Sequence, residues 1–190
     1  MNSKIETASM TGNGRRSACR RLQKGATLLE AVAFLGIAAI ILIGAVALFT
    51  TAFSSARSNA LTEQVTAIQT AIRNTYGSGA QLESNLASGI TGLVNSNALP
   101  STLSVDSSGS VHNDWGGEVT VTWDATNGAA EISYTKVPKA ACIAAVSSAS
   151  GFTLISTSSV AVVSPLPASS GQAISACAGD TNTVNWEFNG

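Results

Sequence analysis

Glu30 is a lone carboxylate at the start of an apolar run, since the 26 residues from Ala31 to Ala56 carry no charge. A carboxylate placed centrally in a bilayer-spanning helix costs roughly 2.5–3.5 kcal/mol, so an intramembrane Glu is a functional candidate by default. The competing reading is interfacial: near a helix N-terminus a carboxylate gains about 0.3–1 kcal/mol from the macrodipole. Taken by itself the residue fits either. Other reactive side chains are few. There are three cysteines, Cys19, Cys142 and Cys177, and one histidine, His112. No cysteine pair has zinc spacing, no glycine-rich phosphate loop or GxSxG elbow occurs, and the acidic residues are scattered singly. No catalytic residue, metal ligand or cofactor is assigned, an enzyme is not expected, and His112 reads as a surface loop residue.

The apolar run AVAFLGIAAIILIGAVALF at 31–49 is long enough to cross a bilayer. It is too long for a Sec-type signal peptide and no clean small-residue cleavage site follows it. The paired arginines in RRSAC and RRLQK do not continue into a twin-arginine pattern, and Cys19 follows RRSA where a lipoprotein signal would place apolar residues. Charge is distributed unevenly: residues 1–25 carry net +5 and residues 26–190 net −6. The positive-inside bias therefore puts residue 1 in the cytoplasm and everything after about residue 56 outside. Only Arg57, Arg73, Lys136 and Lys139 are basic after Gly25, too few and too dispersed for a nucleic-acid groove.

The string Lys24-Gly25-Ala26-Thr27-Leu28-Leu29-Glu30, running directly into the apolar stretch, resembles the signature of type IV pilin precursors. The resemblance implies a cytoplasmic leader, 1–25, cut by a membrane peptidase between Gly25 and Ala26, with N-methylation at Ala26 and retention of Glu30 as the fifth mature residue. Ala26 departs from the Phe or Met most often found first in the mature chain. A 25-residue leader points to the type IVb branch, with the thin-pilus conjugation pilins most similar. The implied product is a major pilin, held in the inner membrane of a Gram-negative-type bacterium and then polymerised into an extracellular homopolymer for adhesion or conjugative mating. Its partners are the prepilin peptidase and the pilus assembly machinery. In such a filament the new α-amine at Ala26 neutralises Glu30 of a neighbouring subunit and so sets register. Removing one partner of such a buried pair typically costs about 3–5 kcal/mol.

The elements that position these residues follow from periodicity. Leu61, Val65, Ile68 and Ile72 make one apolar face, with Glu63, Gln64, Gln69 and Arg73 on a wet one. One helix is expected from about 27 to 76, apolar over 26–56 and amphipathic over 57–76, ending at Gly77-Ser78-Gly79. A globular head, 77–190, follows. Its first part, 77–117, corresponds to the αβ-loop of pilins, with short helical pieces at 82–86 and 90–99 and the turn Asn113-Asp114-Trp115-Gly116-Gly117 leading into the sheet. Glu118–Trp123 and Ala130–Thr135 alternate around the turn 125–128 and predict a hairpin. Pro138–Ala145 and Gln172–Ala178 read as short helices carrying the two later cysteines, and Phe152–Val163 as one or two strands. Thr183–Phe188 reads as a late-added strand. The expected fold is α+β, a long N-terminal helix packed on one antiparallel sheet.

Cys142 and Cys177 lie outside the membrane in an oxidising compartment and are expected to pair, the alternative being two buried free thiols. A loop of that size stabilises by about 3–4 kcal/mol in the chain-entropy model. By the resemblance, 142–177 is the disulfide-bounded D-region of a pilin, and Cys19 leaves with the leader. Two other readings compete. A minor pilin or secretion-system pseudopilin shares the N-terminal signature, and a single-pass membrane-anchored binding domain shares only the span.

Overall fold

The computed structural model describes residues 27–189. Helix α1 runs Leu28–Tyr76 and ends where Gly77 takes φ 84°, a conformation that suits glycine. The chain divides into two units, Met1–Gly44 and Ala45–Gly190. In the first, the described residues are the opening turns of α1. The second holds the rest of α1 and the whole head.

The core of the second unit begins on α1. Leu61, Val65, Ile68, Ile72 and Tyr76 are buried with the inward side chains of a six-stranded sheet. Gln64 and Gln69, placed on the wet face by residue type, are buried instead, at 4% and 7% exposure. Each amide finds a partner in the head: Gln64 Nε2 donates to Thr102 Oγ1 at 3.1 Å and Gln69 Nε2 to the Gly151 carbonyl at 2.9 Å. A buried amide without such a partner costs about 1–3 kcal/mol, which is why these two residues are polar yet internal. Tyr76 closes the helix by donating its hydroxyl to the Gly89 carbonyl at 2.7 Å.

After α1 come α2 (Ala80–Asn85), a single 3-10 turn (Leu86–Ser88) and α3 (Gly89–Asn95). The strands are β1 (Ser104–Val105), β2 (Val111–His112), β3 (Glu118–Asp124), β4 (Ala129–Pro138), β5 (Leu154–Thr157) and β6 (Thr181–Phe188). Helix α4 (Lys139–Ser148) follows β4, and α5 (Ser170–Ala176) precedes β6. The sheet order is β1-β2-β3-β4-β6-β5, with every neighbouring pair antiparallel. The architecture is thus α+β, a long N-terminal helix on an antiparallel sheet. The last strand is not added at an edge: β6 inserts between β4 and β5, pairing Ile132 with Trp186 on one side and Trp186 with Ile155 on the other. Its central position explains why Val184, Trp186, Glu187 and Phe188 are all buried.

Local chemistry sets the helix starts in the head. Pro138, extended at φ −62°, leads into α4. Ser169 and Gln172 form a reciprocal capping box that begins α5 at Ser170, two residues ahead of the position read from the sequence.

Candidate assembly site

The first turn of α1 is capped by its own sequence. Thr27 Oγ1 accepts from the backbone N–H of Glu30 at 3.3 Å, and the Thr27 carbonyl accepts from Ala31 N at 3.0 Å. Glu30 therefore sits at the third helical position, where its charge meets the positive end of the helix dipole. Thr27-x-x-Glu30 is the sequence signal for this arrangement. Beyond it α1 presents apolar side chains all round: Phe34 is 71% exposed, and Ile40, Ile43 and Leu48 are comparably bare. Between Leu28 and Arg57 no residue is buried. Such a surface needs a lipid or protein partner. Gly25, Ala26 and Cys19, to which cleavage, methylation and loss with the leader were assigned, lie outside the described residues.

In the head, Cys142 on α4 and Cys177 at the end of α5 form a disulfide with Cα atoms 5.9 Å apart. Both are fully buried. The bond lies just beyond the end of the β4–β6 ladder, where Pro138 pairs with Thr181. It thereby closes the excursion that carries α4, β5 and α5. Helices α4 and α5 are tied together by this bond, while strand β5 is held separately by its own ladder with β6.

Residues 55–189 match the family described as PilS N terminal. The chain belongs to this pilin family. Neither a curated protein nor a solved structure matches it. Family membership makes the chain a pilin-type structural subunit, and with the bare apolar helix it fits a membrane-anchored precursor and an extracellular pilus. The family match begins at residue 55, so the apolar half of α1 is read from its own exposure and sequence.

Two features of this PilS-family head go beyond the sequence reading. His112 is not in a loop but on β2, half-buried, with Nε2 3.2 Å from Asp106 Oδ2. Asp106 Oδ1 also accepts from Ser108 Oγ and from the backbone N–H of Ser108 and Ser110. Those bonds, Ser108 first and then His112, hold the Asp106 carboxyl well below the usual carboxylate range. The cluster pins the turn between β1 and β2.

The second is the anchoring of the turn at 113–117, a turn expected from the sequence. Asn113, 4% exposed, accepts at Oδ1 from Trp115 N (3.0 Å) and Gly117 N (2.9 Å) and donates from Nδ2 to the Thr135 carbonyl (2.8 Å). Thr135 and Lys136 form a bulge, since β4 spends one extra residue between its pairings Tyr134–Val184 and Val137–Asn182, and Lys136 takes φ 55°. Lys136 Nζ donates back to the Gly116 carbonyl at 3.3 Å. Gly116 has φ 69°, and a Cβ on Gly117 would run into the Thr135 carbonyl. Turn and bulge lock one another, which fixes where Trp115 stands.

Among the described residues no group of three His, Cys, Asp or Glu side chains converges as a metal site. The nearest approach to a charged cluster is structural. Glu131 faces Glu187 across β4 and β6, and Asn127 Nδ2 donates to both Asp124 Oδ2 and Glu187 Oε2 at 2.9 Å. Burial pushes the Glu187 and Glu131 carboxyls up, with the neighbouring carboxylates adding to it.

Proposed function

We propose that the chain is the precursor of a major pilin of a type IVb pilus, cut between Gly25 and Ala26 by a prepilin peptidase and N-methylated at Ala26. On this reading 26–56 is first a membrane anchor and then the filament core, 57–76 carries the head, and 77–190 is the outer surface, with 77–117 as αβ-loop and 142–177 as D-region. Glu30 meets the α-amine of a neighbouring subunit and sets register during homopolymer growth. The filament serves adhesion or conjugative mating, and the inner membrane and assembly machinery are the partners before export.

The observation that carries the reading is the bare apolar half of α1, headed by a single carboxylate and joined to a disulfide-closed head. A chain that folds its head to completion while leaving about seven helical turns of apolar surface uncovered has an intermolecular use for that surface.

The test is the intact mass and N-terminal sequence of the protein from cells with and without their prepilin peptidase. A start at Ala26 only when the peptidase is present is the expected result. A start at Met1 in both leaves a plain membrane anchor and overturns the proposal. Scarcity of the chain in sheared filaments, despite correct processing, would make it a minor pilin.

A further inference from the structure

We propose that the cleft between Trp115 and the Phe49–Arg57 segment of α1 seats the head on the outer surface of a phospholipid bilayer, with Trp115 in the headgroup layer and Arg57 on a lipid phosphate. This rests on the reading that the apolar run spans the membrane, and it adds a second contact between the subunit and the bilayer, made by the head.

The level of the cleft comes from the helix itself. About twenty residues at ~1.5 Å each cross a hydrocarbon core of ~30 Å. Counted from Glu30 at the inner boundary, they end at Thr50, and there the sequence turns polar through Thr51, Ser54, Ser55 and Arg57. An open cleft of about 450 Å³ lies at this level, lined by Phe49, Thr50, Phe53, Ser54, Arg57 and Trp115. Its apolar floor continues the bare face of α1: Phe49 and Phe53 pack with ring centroids 4.2 Å apart at a tilt of 48°, and are 62% and 49% exposed. Among the described residues the lining holds a cation and no carboxylate, and the first charge after the apolar run is that same Arg57.

Trp115 is far away in sequence and reaches the cleft because the Asn113 turn and the β4 bulge hold it there. Tryptophan suits this place, since an apolar ring with one polar edge is favoured at the membrane–water boundary. Lys136, on the Gly116 carbonyl, brings a second cation to the turn, which also carries the exposed Asp114. A second copy of α1 is the competing occupant. The carboxylates of that copy, Glu30 and Glu63, lie outside its apolar run 31–56, whereas a headgroup offers a phosphate at the depth where the apolar floor ends.

The experiment uses the full chain in phosphatidylethanolamine–phosphatidylglycerol vesicles, with a nitroxide quencher attached either to lipid headgroups or to the ends of the acyl chains. The headgroup quencher is expected to remove the emission of one tryptophan of the three, and Trp115→Phe to abolish that component. Phe keeps an aromatic ring on the core, and retained protease resistance checks the fold. Arg57→Glu is expected to weaken the quenching with Trp115 in place. A chain that floats with the vesicles but keeps Trp115 unquenched overturns the seat and leaves the spanning helix standing. Failure to float removes both. An unquenched Trp115 position that crosslinks between two copies gives the face to a second subunit and likewise overturns the proposal.

Discussion

Replacing both Cys142 and Cys177 with alanine tests how the head is held together. The cysteines are 35 residues apart, and closing a loop of that length in the unfolded chain is worth about 4 kcal/mol at 25 °C in the chain-entropy model. Alanine is preferable to serine because both positions are fully buried, and a hydroxyl there would add an unrelated desolvation cost. The native ends need no strain to meet, since the β4–β6 pairing of Pro138 with Thr181 already brings them together. The effect therefore falls on the unfolded state. With a urea slope of about 2 kcal/mol/M, the midpoint drops by about 2 M. Against a total stability of about 5–15 kcal/mol for a domain, that leaves a weakened but folded head. The assay is urea unfolding of the full chain in detergent micelles, followed by tryptophan emission and by protease resistance. Equal midpoints for the oxidised native chain and the double variant would refute the reasoning, because the unfolded chain would then gain no freedom from losing the link.

Tyr134→Phe is expected to stabilise the head by about 1 kcal/mol in the same assay, because among the described residues the fully buried Tyr134 hydroxyl has no hydrogen-bond partner, while its ring packs edge-on against Trp186 at 5.6 Å. Gly117→Ala is expected to cost at least about 2 kcal/mol, read as a lowered urea midpoint, since its Cβ meets the fixed Thr135 carbonyl and not a movable side-chain tip. Glu187 has its carboxyl pushed above the ordinary 4.5 by burial, so the folded state holds that proton more firmly than the unfolded chain. Stability then rises as pH falls from neutrality through the raised value and levels off below the ordinary one. Glu187→Gln, whose amide oxygen can still accept from Asn127, is expected to flatten that slope and to be the more stable chain at about pH 7, measured as urea midpoints across the window. Glu30→Ala is expected to leave synthesis, insertion and head folding intact and to abolish filaments, scored by shearing and microscopy. Normal pili from that variant would remove the register role.

Periodicity made the amphipathic half of the long helix and the β3–β4 hairpin legible, because one face of each meets the core and the pattern repeats over many residues, while the apolar half stood out by composition. It misled at Gln64 and Gln69, where the helix buries a stripe wider than the Leu61–Val65–Ile68–Ile72 line and the amides are satisfied by Thr102 and Gly151, tens of residues downstream. Strands β1 and β2 hold two residues each, too short for any alternation to register. The position of β6 was illegible for a different reason: an alternating segment reports which side chains face inward, and nothing in it names the two strands it will separate. The functional residues divide in the same way. Glu30 stands out by charge against an apolar background, and the cysteines by type. Trp115 gains its place only through the Asn113 turn meeting the β4 bulge, a contact between residues 22 apart that no local pattern announces.

On the proposed reading, the apolar half of α1 must exchange lipid for neighbouring helices when a subunit joins the filament. Lipid tails are as apolar as the Leu and Ile side chains that leave them, so this exchange gains almost nothing from the hydrophobic effect. What remains is close packing and polar pairing. Gly36 and Gly44 have open space where a Cβ would stand, which lets another helix approach closely there. Glu30 is the one carboxylate on the segment, and in a low-dielectric filament it is costly until a cation meets it. At the other end of the run, Arg57 and Trp115 must leave the headgroups they are proposed to touch. The two ends thus pull oppositely: satisfying Glu30 favours the filament, and releasing Arg57 and Trp115 opposes departure from the membrane. Arg57→Ala combined with Trp115→Phe should therefore ease extraction without touching register, whereas no change at that end can rescue a chain that lacks Glu30.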